Sequence, residues 1–138
     1  MIHRRFFLAA ACCTVALSTT AFTASAQQTP VSISRFNGLA IDGSDTVAYH
    51  DMYAQGVHQH QYGKATFAFD WNGATWHFAS AESRDRFAAE PEKYAPPYGG
   101  HCSNALSLGE GLIRTNGKVW EFFGDNLYLF YAERGRQR

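Results

Sequence analysis

Phe67-Ala68-Phe69-Asp70-Trp71-Asn72-Gly73-Ala74-Thr75-Trp76-His77-Phe78 is the stretch of this chain whose reading decides the fold. Asn-Gly is the favoured two-residue connection of a tight hairpin, because both central positions of a type I′ turn need positive φ. Folding about Asn72-Gly73 sets Phe69 opposite Trp76 and Phe67 opposite Phe78 on one face, and gathers Ala68, Asp70, Thr75 and His77 on the other. One oily face and one mixed face suit a small antiparallel sheet that covers a core on one side.

Working downstream, Ser80 is placed to cap a helix over residues 81–89, with Glu82 in the first turn and Phe87 on the inner face. Glu90-Pro91 ends that run, since the residue before proline avoids the α region, and Pro91 can open a further turn through Tyr94. Pro96-Pro97 then forces an extended lead into Tyr98-Gly99-Gly100. Asn104 to Leu108 reads as a short helix or strand, and Gly109 to Gly117 as a loop. A second hairpin follows, Lys118 to Phe123 with Leu127 to Tyr131, turning at Gly124-Asp125-Asn126 and apolar on both faces, as a central pair would be. Upstream, Gly38 to Gly43 and Thr46 to Tyr49 read as two short pieces joined by a turn, and residues 27–35 as a flexible polar tail. The expected class is α+β: a small antiparallel sheet from two β-hairpins, packed with one main helix in a single compact domain over residues 36–134.

Residues 1–26 read as an export signal. Arg4-Arg5 precedes an apolar, alanine-rich run, and Ala24-Ser25-Ala26 is an A-x-A cleavage site. Arg4-Arg5-Phe6-Phe7-Leu8 is similar to a twin-arginine signal, which serves proteins exported already folded; the general secretory route is the other option. The run is too short for a convincing membrane span, and Leu8 stands one place too far from Cys12 for a lipoprotein anchor. The expectation is a periplasmic protein with no stable membrane insertion once the signal is removed. The formal charge of the whole chain is +0, with no basic stripe, so nucleic acid is not an expected partner.

Chemistry concentrates at Tyr98-Gly99-Gly100-His101-Cys102-Ser103. Cys102 is the only cysteine beyond Cys12 and Cys13, so it has no partner for an internal disulfide in the exported part. It is buried as a small hydrophobe, paired between chains, or functional. His50, His58 and His60 lie close together in sequence, and on a strand the two imidazoles of His58-Gln59-His60 would share a face. Two histidines and the Cys102 thiolate would suit copper or zinc, which accept N and S donors. The candidate metal ligands are therefore Cys102, His101, His58, His60 and His50. Against this stand a packed thiol and a polar loop of solvated histidines; Tyr98 and His77 read as packing and sheet-face residues. A Cys-His pair could also serve as a thiol nucleophile, but no Ser-His-Asp pattern, phosphate loop or C-x-x-C pair supports an enzyme. The expected function is a periplasmic metal-binding module, copper first, for metal handling or delivery; the alternative is a non-enzymatic, aromatic-rich interaction module that docks on a periplasmic partner protein without metal.

Gly38-Leu39-Ala40-Ile41-Asp42-Gly43, Asp45 with Val47-Ala48-Tyr49, Trp71 to Trp76, Ser80-Ala81-Glu82, Arg84-Asp85, Phe87-Ala88, Pro91 to Pro96 and Tyr98-Gly99-Gly100 together resemble secreted bacterial YHS-domain proteins. The resemblance runs from about Leu39 to Tyr131. It implies a compact α+β domain related to small metal-binding modules, with copper the metal usually proposed and no shared enzymatic activity. The eponymous Tyr-His-Ser triplet is not intact, since Cys102 stands between His101 and Ser103, and the His50–His60 segment is richer in histidine than in such proteins.

Overall fold

The computed structural model describes residues 29–138; the expected signal, residues 1–26, and the first residues of the expected tail lie outside them. The element order is α1 (Thr46–Ala54), β1 (Lys64–Trp71), β2 (Ala74–Phe78), α2 (Ala81–Ala89), α3 (Pro91–Tyr94), α4 (Ser103–Ser107), β3 (Val119–Phe123), β4 (Asn126–Phe130) and α5 (Glu133–Arg136), with 3-10 turns at Ile41–Gly43 and Pro97–Gly100. The class is α+β, but the two hairpins do not share a sheet. Each forms its own two-stranded antiparallel sheet.

The first hairpin folds about Asn72 (φ 50) and Gly73 (φ 73), the left-handed pair that a type I′ turn needs. Phe69 faces Trp76 and Asp70 faces Thr75, as the turn dictates. The expected Phe67–Phe78 pair does not form. The register shifts between Ala68 and Lys64, and Lys64 faces Phe78. Just before the irregular stretch, Gly63 is drawn so close to β2 that a Cβ there would collide with the His77–Phe78 backbone. Phe67 still packs at the edge of the core.

Ser80 caps α2 by accepting the Ser83 N–H at 3.1 Å. Phe87 on its inner face is fully buried. Its ring centroid lies 4.8 Å from that of Trp76, 4.9 Å from Phe78 and 5.7 Å from Trp71. A second nine-residue helix, α1, stands where the sequence suggested short pieces. Asp45 starts it: one carboxylate oxygen accepts the Ala48 N–H at 2.9 Å, and the other accepts the Ala79 N–H at 2.8 Å, tying α1 to the end of β2. Burial raises the Asp45 pKa, partly opposed by those hydrogen bonds.

The second hairpin turns on two residues, Gly124-Asp125, not three; Asn126 already pairs with Phe123. Both of its faces are covered. Trp120, Phe122, Leu127 and Leu129 join the main core. Val119, Tyr128 and Phe130 pack against Cys102 and Ala105 from the α4 segment. This explains its apolar composition on both faces without a larger sheet.

The segment expected as a loose tail packs from Val31 onward. Ser32 is fully buried and hydrogen-bonded on three sides. Its N–H donates to Gly99 O at 2.8 Å, its C=O accepts the Ile41 N–H at 2.9 Å, and its hydroxyl accepts the Thr115 N–H at 3.1 Å. Among the described residues no helix is long and apolar enough to cross a membrane.

Ser32→Ala would strand the buried Thr115 N–H, at about 1–3 kcal/mol. Chemical denaturation should show a lower midpoint with unchanged slope. An unchanged midpoint would mean that the Ser32 hydroxyl contributes nothing to the fold.

Candidate functional site

Two left-handed turns frame the region singled out by sequence. Tyr98, Gly99 and Gly100 have φ of 58, 64 and 79°, and Ile41, Asp42 and Gly43 have φ of 48, 55 and 81°. The turns are pressed together: a side chain at Gly100 would run into Ile41 and Pro96. Ile41 is β-branched, fully buried and left-handed, an uncommon and strained combination held by its surroundings.

Past this turn, His101 (φ −71, ψ 161) and Cys102 (φ −59, ψ 112) are extended. Neither residue lies on a strand, and Cys102 leads directly into α4. Both are buried. His101 Nδ1 lies 3.0 Å from Tyr98 O; facing a carbonyl it must donate, which leaves Nε2 as the lone-pair nitrogen. Cys102 packs against Phe130, Val119 and Tyr128.

The other three candidate histidines, His50, His58 and His60, sit on the opposite face of the β3–β4 hairpin. His58 stacks on Trp120 at 4.0 Å, and its Nε2 donates to Trp120 O at 2.7 Å. His60 lies edge-on to Tyr62 at 4.1 Å. The Ser44 hydroxyl donates to Asn116 O, so His60 Nε2, 3.0 Å away, donates to Ser44 Oγ. Burial and the charge of Lys118 lower the His60 pKa, with Asp42 opposing. His50 is wedged edge-on between Tyr94 (5.1 Å) and Phe122 (4.8 Å), and its Nε2 is buried without a partner.

The five expected ligands therefore do not form one shell. Val119 and Phe130, which cover Cys102, alternate along their strands with Trp120 and Leu129, which face the histidine side, so the hairpin itself stands between thiol and imidazoles. His58 and His60 are not on a strand, and each spends its Nε2 on protein. Among the described residues no three His, Cys, Asp or Glu side chains are grouped so as to hold a metal ion.

A different feature was not singled out in the sequence. A groove of about 580 Å3 is lined by Ser34, Arg35, Phe36, Asp42, Leu112, Ile113, Arg114, Thr115, Asn116 and Tyr131. Phe36 is 99 % exposed and Tyr131 69 %, with Leu112 and Ile113 also exposed. The groove lies beside the strained Ile41–Gly43 turn, through Asp42. Its only sequence signal is a Phe within Ser34-Arg35-Phe36-Asn37-Gly38 and Leu112-Ile113 inside a glycine-bounded loop, apolar residues in segments otherwise polar.

The chain matches no family model, no curated protein and no solved structure.

Burial, more than the repulsion from Lys93 and Arg86, lowers the His50 pKa to about 4, with Asp51 and Asp125 opposing. Between its ordinary value of about 6.5 and that lower one, the unfolded chain binds a proton that the folded chain refuses, so stability falls as pH falls through this window. Asp45, with its raised pKa, acts in the opposite sense. Comparison with His50→Leu cancels that second contribution. The parent should lose on the order of 1–2 kcal/mol more than His50→Leu between about pH 7 and pH 4, a figure discounted for partial exposure. Parallel stability curves in denaturant titrations across that range would refute it.

Proposed function

We propose that this chain is a non-enzymatic, exported binding module whose site is the groove between Phe36, Ile113 and Tyr131. The observation that carries the reading is the exposure of large apolar side chains around one concavity. Phe36 and Tyr131 are the two most exposed aromatic side chains among the described residues and line the same groove as the exposed Leu112 and Ile113; Phe123, Tyr98, Tyr53 and Tyr62 are exposed elsewhere. An apolar concavity rimmed by polar groups is the usual form of a ligand or partner site, and about 580 Å3 falls within the range of small-ligand sites, roughly 300–1,000 Å3. No nucleophile paired with a base lines the groove, which favours docking over catalysis. Export and a periplasmic working place rest on the N-terminal sequence pattern, and relation to YHS-domain proteins on the motifs quoted above; both belong to the same proposal.

The test uses a neutral dye, Nile red, titrated into the folded protein. Saturable fluorescence is expected in the parent. In Phe36→Ser/Tyr131→Ser, whose positions are exposed and should leave the melting temperature unchanged, affinity should fall roughly tenfold. No saturable signal, or equal affinity in the variant, would overturn the groove as the site.

A second reading, copper capture by Cys102, is favoured by one observation. The Nδ1–H of His101 is held by the Tyr98 carbonyl, the way ligating imidazoles are oriented, next to the one thiol of the exported part. On this reading the thiolate takes Cu(I) as cargo after local opening, with His101 Nε2 as the second donor. Cu(I) competition titration should then show Cys102→Ser at least about tenfold weaker than the parent at similar melting temperature. Equal competition by the two proteins, or none by the parent, would remove the reading.

A further inference from the structure

Resting on the groove reading above, we infer that its occupant is an amphiphilic monoanion: an apolar chain ending in a carboxylate. The charge distribution points there. Arg35 and Arg114 both line the groove, are exposed, and enter no ion pair among the described residues. Arg86 is committed to Asp51 at 2.8 Å, Arg136 to Glu121 at 2.9 Å and Arg84 to Asp85 at 3.0 Å; Arg134 and Arg138, near the C-terminus, also enter no ion pair among the described residues but do not line the groove. The one acidic side chain in the lining, Asp42, already accepts a hydrogen bond from Asn37 Nδ2 at 3.0 Å. Two free guanidiniums against one engaged carboxylate leave the groove cationic.

A guanidinium presents a planar fork of N–H donors that matches a carboxylate in a bidentate pair. Phe36, Leu112, Ile113 and the ring of Tyr131 offer apolar and aromatic surface to the rest of the ligand. An apolar chain laid against those four, with its carboxylate at Arg35 and Arg114, satisfies both parts of the lining. A neutral lipid would leave the arginines unused, and a small hydrophilic anion would leave the apolar walls wet. Because the groove is open, the charge contribution is modest, of the size found for exposed ion pairs.

The test displaces Nile red with two ligands of equal chain length, dodecanoate and dodecan-1-ol, each kept below its micellar or solubility limit. In the parent, dodecanoate should displace the dye at roughly fivefold lower concentration than the alcohol. In Arg35→Gln/Arg114→Gln the two should become equal, with displacement by the alcohol unchanged. Equal displacement in the parent, or a preference for the acid that survives in the double variant, overturns the anion assignment and leaves the groove reading standing. Failure of both ligands to displace a saturably bound dye overturns the amphiphile altogether. Failure of the dye itself to bind removes the groove reading and this inference together.

Discussion

Ser32 holds together parts of the chain that are distant in sequence. Its backbone joins the Tyr98–Gly100 turn to the Ile41–Gly43 turn, and its hydroxyl joins both to the 111–117 loop through the Thr115 N–H. Thr115 returns the connection, donating its own hydroxyl to Gly100 O. Two left-handed turns, one containing a β-branched residue, are unfavourable in isolation. The buried Ser32 and Thr115 hydrogen bonds tie them together, in a setting where an unmade hydrogen bond is expensive. The groove inherits its shape from this junction. Asp42, Thr115 and Asn116 form its floor and margin, and Ser34-Arg35-Phe36 continues directly from Ser32.

The second hairpin is the other organising element. A two-stranded ribbon alone is marginal in water. Here it is stabilised by cover on both faces, with the main core on one side and the small cluster around Cys102 on the other. The same arrangement parts the chemistry that the sequence seemed to collect. Trp120 takes His58 as a stacking partner and donates its indole N–H to Gln59 O at 3.0 Å, so the 58–60 segment is fastened to the core face of the hairpin. Cys102 is sealed beneath the other face. His58 and His60 are thus engaged in aromatic packing and hydrogen bonds, and Cys102 is buried among apolar side chains.

Burial also sets the electrostatic character of the interior. His50 is kept neutral by desolvation among aromatic rings, and Asp45 accepts two backbone N–H groups in a site that disfavours its charge. Two arginines without an ion pair among the described residues, Arg35 and Arg114, line the groove.

Local rules made several features legible in the sequence. Asn72-Gly73 fixed a turn and the pairing nearest to it, because positive φ at two successive positions is a local demand. Ser80 and Pro91 marked their helix boundaries for the same reason, since caps and prolines act within a turn of themselves. The α1 helix escaped because Thr46-Val47-Ala48-Tyr49 is β-branched and aromatic, with no clear apolar stripe; its cap, Asp45, has its second anchor in the distant Ala79 N–H. The register shift before Ala68 and the close approach of Gly63 to β2 escaped because both depend on how the two strands meet. The separation of Cys102 from His50, His58 and His60, and the meeting of Phe36 with Leu112, Ile113 and Tyr131, were decided only by tertiary structure. Which side of a hairpin a residue comes to lie on depends on packing between segments far apart in the chain, and spacing along the sequence carries no record of it.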